Sequence, residues 1–310
     1  MVTWIKGASL HEEAKEWARA HVRRLEELGI TPKLAVLLLN DDPVELETQR
    51  KYVSLKARDV REIGGEVEIH ELYQVPPAQR TREALRLIES LNKRDDVTGV
   101  LIQKPVPPFV DERLLFDTLA PEKDVDGLTP ENKKRLVTSF DLQNDILPCT
   151  PAGILELMYK YGIEVGGQDV VVVGKGELVG KPLAIMLIQL DATVTVLHAL
   201  SKDRLRYVRH ADIVISAVGR PPELYRDNPW RLTGDMIKEG AVVIAVGGKV
   251  DPATGKWHFD VDERSVAERA SFLTPNIGGV GLATRSRLLK NLIRATYQVA
   301  RLTTAARLLT

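Results

Sequence analysis

Apolar residues occur in two kinds of run along this chain. Short blocks without alternation, such as LAVLLL at 34–39 and VVVV at 170–173, suit strands buried on both faces. Between them lie longer stretches in which apolar positions recur every three or four residues, the period of a helix with one buried face. In order, the pattern predicts a helix from Gly7 or Ser9 to Leu28 that Gly29 stops, then a strand over 34–39. Asn40-Asp41-Asp42-Pro43 is turn chemistry that opens a helix over about 45–63, ending at Gly64-Gly65. A strand over 67–72, a helix over 81–92 and a buried strand over 99–103 complete β-α-β-α-β, the pattern of a parallel sheet. KPVPP follows as a Pro-rich loop at a strand's carboxyl end. After it come a short helix near 112–119, a polar loop EKDVDGLTPEN, and a helix over 151–161 that PCTPAG leads in as a connector between domains.

The alternation then restarts. Strands are predicted over 170–173, 193–197, 213–217 and 242–246, with helices over 181–189 and 202–208 between the first three. Residues 220–234 read as a loop with a short helix. A long helical pattern over 282–308 belongs to no βαβ unit and is expected to pack back on the first domain.

Length and charge narrow the function. At 310 residues the chain suggests two domains. Lys plus Arg equals Asp plus Glu, 43 each, which argues against bulk attraction to nucleic acid or to a membrane. One cysteine, Cys149, gives neither an intrachain disulfide nor a cysteine-based metal site, and no histidines stand in H-x-x-x-H spacing, so no metal is expected. No apolar run approaches the roughly 18 residues of a membrane span. The N-terminal stretch lacks a signal-peptide core, so the expectation is a cytoplasmic protein. Charged residues make up 28% of the chain and mix both signs on helix faces such as EEAKEWARAHVRRLEEL, which fits a hot environment.

The stretch VVVGKGELVGKP, ending at Pro182, points to a ligand. A buried strand runs into Gly174, Gly176 and Gly180 and then into a helix. Backbone N–H groups at a helix start are unpaired and lie at the positive end of its dipole, so a phosphate binds there. The spacing G-x-G-x-x-x-G is one residue longer than the usual dinucleotide fingerprint, and the glycines alone fit a tight turn equally well. An NAD site places Asp or Glu about 20 residues further on, against the ribose hydroxyls. Here the second strand ends Val196-Leu197-His198-Ala199 without a carboxylate, while Lys175, Lys202 and Arg204 bring positive charge and Ser201 a hydroxyl. That balance favours NADP, with NAD the alternative.

Four further places could carry chemistry. Tyr52 and Lys56 are four apart in a helical pattern and share a face. They are either an aromatic over an aliphatic stem or a platform for a flat ligand beside a lysine whose pKa burial lowers. Gln103 and Lys104 stand where the third strand ends, the edge at which open α/β sheets bind ligands; the amide could equally tie down the Pro-rich loop. Asp124-Val125-Asp126-Gly127 lacks the ligand set of a calcium loop. It is either a turn with an Asp capping backbone or an Asp that accepts two hydrogen bonds from an amino-pyrimidine edge. Cys149, with no histidine near it, reads as buried packing.

YVSLK, GVLIQKPVP, PEKDVDGL, PCTPAG, VVVGKGELVGKP, DIVISAVGRP and TPNIGGVG follow one another in that order. From about Ala35 to the last helix the chain resembles the bifunctional methylenetetrahydrofolate dehydrogenase/methenyltetrahydrofolate cyclohydrolase family. The resemblance implies an α/β fold of two three-layer parallel-sheet domains. A catalytic, folate-binding domain would span 1–150, completed by a C-terminal helix over 282–310, and a Rossmann-type NAD(P)-binding domain would span 151–281. It also implies a cleft between them, a homodimer, and no nucleic-acid or membrane partner. The implied reactions are oxidation of 5,10-methylene-tetrahydrofolate to the 5,10-methenyl form with NADP, and its hydrolysis to 10-formyl-tetrahydrofolate. By position, Lys56 would be the catalytic lysine, Tyr52 the platform for the aminobenzoate ring and Gln103 the modulator of Lys56. Asp126 would hold the pterin, with Lys104, Pro105, Gly278, Gly279, Val280 and Gly281 completing the substrate site. Gly174, Lys175, Gly176, Val179, Gly180, His198, Ala217, Val218, Gly219 and Thr284 would hold the cofactor.

Several positions depart from the family's usual residues. Lys104 stands for Leu, which brings a second cation near the site; Gln49 stands for Ser; Lys175-Gly176 for Arg-Ser; Ala199 for Ser; Ile277 for Pro; and Leu282-Ala283 for Pro-Met. The residues by themselves leave two other readings: an NAD(P)-dependent dehydrogenase of a small acid, and a folate- or nucleotide-binding protein with reduced catalysis.

Overall fold

The computed structural model describes residues 1–219, 230–250 and 256–300. In chain order the elements begin β1 (Thr3–Trp4), α1 (Ala8–Glu26), β2 (Lys33–Leu38), α2 (Pro43–Glu62), β3 (Glu66–Glu71), α3 (Pro77–Lys93) and β4 (Gly99–Ile102). Next come α4 (Glu112–Thr118), α5 (Pro130–Thr138), α6 (Cys149–Lys160), β5 (Asp169–Val173), α7 (Gly180–Gln189) and β6 (Thr193–Leu197). The remainder is α8 (Arg204–Val208), β7 (Ile213–Ser216), β8 (Val242–Ala245), β9 (Gly248–Val250), β10 (Trp257–Phe259), α9 (Glu263–Ala267), β11 (Phe272–Leu273) and α10 (Val280–Val299). No helix among the described residues is long and apolar enough to cross a membrane.

Two compact units emerge, one of residues 12–149 with 285–300, the other of Met1–His11 with Thr150–Thr284. In the first, β2 lies between β3 and β4 in a parallel sheet ordered β3-β2-β4. Its core joins Leu34, Val36 and Leu38 of β2 to Ala18, Val22 and Leu25 of α1 and to Leu288, Leu289, Leu292 and Ile293 of α10. The last helix thus packs on the elements near the start of the chain, as its isolated apolar stripe predicts. Residues 301–308 of that predicted helix lie outside the described residues.

The second unit holds a six-stranded parallel sheet ordered β1-β11-β8-β7-β5-β6, with a separate antiparallel hairpin of β9 and β10. The strand order turns at β5, with β6 on one side and β7 on the other, which is the doubly wound arrangement. Two short strands, β1 at the sheet edge and β11 between β1 and β8, were not visible in the hydrophobic pattern. Thr3 and Trp4 pair with Phe272 and Leu273, and segments of two residues carry no period.

The polar loop predicted at EKDVDGLTPEN is a correction. A 3-10 turn covers Pro121–Lys123, and α5 starts at Pro130, capped by Thr129, whose hydroxyl accepts from the Asn132 amide. Threonine at the N-cap with proline at the first helical position is a start signal that outweighs the polarity of the stretch. Of the segment 220–234, residues 220–229 lie outside the described residues, and Gly234–Met236 is a single 3-10 turn.

Candidate active site

Helix α2 builds the first cluster. Asp42 caps it by accepting from the Val44 and Glu45 amides at 3.1 and 2.9 Å, with Pro43 at the first position. The helical period then sets Gln49, Tyr52 and Lys56 on one side. Lys56 is 6% exposed, and its Nζ donates to Gln103 Oε1 at 3.0 Å and lies 5.5 Å from the Tyr52 ring centre. Gln103, just past β4, is held by its own amide on the Leu37 carbonyl (3.0 Å) and by Nε2 on the Lys104 carbonyl (2.8 Å). Its remaining amide oxygen is therefore aimed at the lysine. The Pro105 carbonyl accepts from Asn40 Nδ2 at 3.1 Å and Gln49 Nε2 at 2.7 Å, which ties the loop after β4 to α2.

Burial lowers the pKa of Lys56 below the usual lysine value, and the Asp126 carboxylate acts against that shift. Asp126 is half-buried, and its pKa is raised by desolvation while the Lys56 ammonium pulls it down. Both directions bring an amine and a carboxyl closer to sharing a proton. The Tyr52 phenol is raised by burial. Lys104, the extra cation, is ion-paired to Glu112 and lies 6.0 Å from the Phe116 ring. The charges acting on Lys56 are Asp126 and Cys149, and Lys104 acts on Asp126 instead.

The two aspartates of the DVDG stretch have different surroundings. Asp124 is the backbone cap, accepting from the Thr129 amide at 2.7 Å and Asn132 Nδ2 at 3.0 Å. Asp126 is the one in the field of Lys56. Gly127 makes the turn possible, with φ at +68° and a position at which a Cβ would lie 2.4 Å from the Leu147 carbonyl carbon. Cys149 is 2% exposed, and its thiol lies against the Val125 carbonyl (3.3 Å) and the Asp126 carboxylate. Burial raises its pKa well above the ordinary thiol value, which suits packing rather than nucleophilic attack. Asn291 of α10 donates to the Val125 carbonyl at 2.9 Å and the Leu147 carbonyl at 2.8 Å, bracing the Asp126 turn from both sides.

In the other unit, β5 delivers the glycine turn. A Cβ at Gly174, where φ is +114°, would lie 2.4 Å from the Ala217 oxygen, and one at Gly180 would lie 1.9 Å from the Gly174 oxygen. Backbone comes this close only because side chains are absent, which is what a cradle around a pyrophosphate needs. Helix α7 starts at Gly180 without a side-chain cap from Val179. At the end of β6 the His198 amide donates to Ser201 Oγ at 2.9 Å. Arg204 stacks 5.3 Å from the Trp230 ring, so its charge is partly committed, while Lys175 and Lys202 are exposed. Past β7, Val218 and Gly219 turn their amides onto Asp260. Gly278 accepts at its carbonyl from the Gly7 amide at 2.8 Å, and the Thr284 hydroxyl meets Thr150 Oγ1 at 3.1 Å.

The structure therefore gathers Tyr52, Lys56, Gln103 and Asp126 into one cluster, with Lys104 and Pro105 beside it. Gly174 to Gly180, His198, Ala217 to Gly219, Gly278 to Gly281 and Thr284 belong to the other unit. Sequence reasoning did not find Asn40, Asn291 or Asp260. The hydrogen bonds that reveal them span 65 residues for Asn40 to Pro105, 166 for Asn291 to Val125 and 42 for Asp260 to Val218, and no local spacing encodes them.

Comparison with known proteins agrees with this geometry. Residues 5–126 match the family model for the tetrahydrofolate dehydrogenase/cyclohydrolase catalytic domain, and 148–300 match that for its NAD(P)-binding domain. A Pyrobaculum arsenaticum protein named bifunctional protein FolD is 78% identical over 308 residues, covering 99% of both chains. The solved Campylobacter jejuni FolD methylenetetrahydrofolate dehydrogenase/cyclohydrolase has 34% identity and a TM-score of 0.85, covering 96% of this chain and 99% of that one. The Trypanosoma brucei enzyme, solved with NADP and an inhibitor, has 31% identity and a TM-score of 0.84, covering 97% and 99%.

Proposed function

The chain belongs to the tetrahydrofolate dehydrogenase/cyclohydrolase family, and from that premise we propose which residues perform its two reactions and which cofactor it takes. The protein is a bifunctional dehydrogenase and cyclohydrolase of one-carbon metabolism with an NAD(P)-binding domain. The observation that carries the proposal is the 3.0 Å contact of the buried Lys56 Nζ with Gln103 Oε1, beside Asp126.

A bound nicotinamide would supply the hydride acceptor for oxidation of the folate's methylene bridge to the methenyl cation. No proton leaves in that step, so the chain's task there is to hold flat rings in place. Tyr52 offers its face to the aminobenzoate ring. Asp126 accepts from the amino-pyrimidine edge, with Lys104 and Pro105 beside it. Hydrolysis needs a proton mover. Water adds to the cation and loses a proton to the neutral Lys56 amine; the lysine returns a proton to the ring nitrogen as its C–N bond breaks, and the adduct's hydroxyl proton leaves to solvent as the formyl group forms. Burial supports this role because it increases the neutral fraction of the amine, while Gln103 fixes where the amine sits.

NADP is the cofactor we propose. Gly174, Gly176, Val179 and Gly180 would hold its phosphates, and Lys175 would meet the 2′-phosphate. His198, Thr284 and the loop from Ala217 to Gly219 would flank other parts of the cofactor. The lack of a carboxylate directly at the end of β6, where His198 and Ala199 stand, and the exposed Lys175 and Lys202 support NADP over NAD. A homodimer is part of the same proposal, carried by family membership alone.

Lys56→Ala should abolish hydrolysis of methenyl-tetrahydrofolate while NADP binding stays within about two-fold of wild type. The dehydrogenase rate should be measured with NADP and NAD in parallel. Hydrolysis at the wild-type rate would remove the lysine from the mechanism, and equal use of both cofactors would remove the argument from charge.

A further inference from the structure

The loop after β7 is organised by a carboxylate that the chemistry above does not use. Asp260 follows β10 and is 3% exposed. Its Oδ2 accepts from the Val218 amide at 2.7 Å and the Gly219 amide at 3.0 Å, and lies 3.5 Å from Ser216 Oγ. Oδ1 also receives the Gly219 amide, at 3.2 Å. Ser216 is held in turn by Trp230 Nε1 at 3.0 Å. Two successive amides turned onto one anion form a nest, and Gly219 takes the φ of +61° that such a curl needs. Gly247 leaves room for the carboxylate, since a Cβ there would lie 1.7 Å from Oδ2 and 2.6 Å from the Gly219 nitrogen. Desolvation raises the Asp260 pKa, and the amides and Ser216 offset that, so the loop's own donors stabilise the anion.

A nest of this kind ordinarily binds phosphate. Here it is already filled from within the chain, so the loop cannot cradle a phosphate with its amides. The main-chain groups it can still offer a ligand are carbonyl oxygens, which only accept. In a sheet whose order turns at β5, a dinucleotide crosses from the strand on one side to the strand on the other. The ribose beside the adenine belongs at the end of the second strand, here β6. The other half of the cofactor, rich in hydroxyl and carboxamide donors, then falls to β7.

We propose that Asp260 is a positioning residue that sets the polarity of the 217–219 loop, turning its amides inward so that the loop receives the donor groups of the nicotinamide half of the cofactor. The proposal rests on the NADP reading above. It is tested on the full chain with Asp260→Ala and Asp260→Asn, by titrating NADP and, separately, adenosine 2′,5′-bisphosphate, which lacks the nicotinamide half. Asp260→Ala should weaken NADP about ten-fold or more, equivalent to about 1.4 kcal/mol, and leave the bisphosphate within about two-fold. Asp260→Asn keeps an acceptor oxygen and should lose less, about three-fold. Should Asp260→Ala not fold, the asparagine variant decides by the same contrast. NADP binding unchanged in the variants overturns the proposal, and so does equal weakening of both ligands. If the NADP reading itself were wrong, wild type would bind neither ligand, which separates the two failures.

Discussion

Gln103 gives the sharpest test of the proton-moving lysine, because two substitutions there should act in opposite directions. Gln103 Oε1 accepts from Lys56 Nζ at 3.0 Å, and Lys56 is 6% exposed. A hydrogen bond to a charged group stabilises it by about 1.5–3 kcal/mol, and one to a neutral amine by about 1 kcal/mol. The difference favours the ammonium by about 0.5–2 kcal/mol, or on the order of one pH unit at about 1.36 kcal/mol per unit. Gln103→Leu removes that preference and should make the amine easier to deprotonate. If the neutral amine is the active form, hydrolysis rises with pH through the lysine's titration. That acid limb then moves about one pH unit lower in the leucine variant. Gln103→Glu puts a carboxylate in contact with the ammonium, holds the proton more tightly and moves the limb higher. The assay is the pH dependence of kcat/KM for methenyl-tetrahydrofolate hydrolysis, with the dehydrogenase profile as internal control, since hydride transfer releases no proton. Limbs that moved the same way in both variants, or not at all, would refute the assignment of Lys56 as the proton acceptor.

Two more outcomes follow from contacts on the page. Arg285 makes two short bonds to Asp59, Nε to Oδ2 at 2.6 Å and Nη2 to Oδ1 at 2.5 Å, with side chains only 8% and 1% exposed. Arg285→Met removes both of these bonds from a buried carboxylate, while Lys15 remains 3.9 Å away, so the loss should fall at the low end of the range for a broken buried pair, about 3 kcal/mol. The double variant Asp59→Leu/Arg285→Met should regain most of it in guanidinium unfolding, and a double variant as unstable as the single would contradict the account. Gly180→Ala drives a methyl into the Gly174 carbonyl and should weaken NADP about ten-fold or more. Gly176→Ala, with nothing within 4 Å of its added methyl, should lose much less, and the reverse ranking in a cofactor titration would refute the cradle.

The strands and long helices were legible because their cause is local. Val170 to Val173 has no polar position to face water, and Asp42-Pro43 supplies both cap and first turn. The pairs Tyr52 with Lys56 and Gly174 with Gly180 were legible for the same reason, since each lies within about two turns of chain. Helix α5 was hidden by the polarity of its neighbours although Thr129-Pro130 marked its start. What could not be read is set by distance along the chain. The separate tasks of Asp124 and Asp126 depend on which carboxylate Thr129 and Asn132 reach, and the sequence carries both without distinction. Lys104 looked like a charge beside the active lysine, and only the fold shows Glu112 holding it. Arg204 counted only as positive charge following His198, and the fold adds that it lies over the Trp230 ring.

The bracing of the Asp126 turn by Asn291 has a bearing on how the molecule is made. A ribosome delivers residue 126 long before residue 291, and domains assemble as their parts emerge. Until the final helix is out, the carbonyls of Val125 and Leu147 lack the amide that joins them. On a nascent chain the turn that carries Asp126 therefore stays unbraced until α10 has left the ribosome.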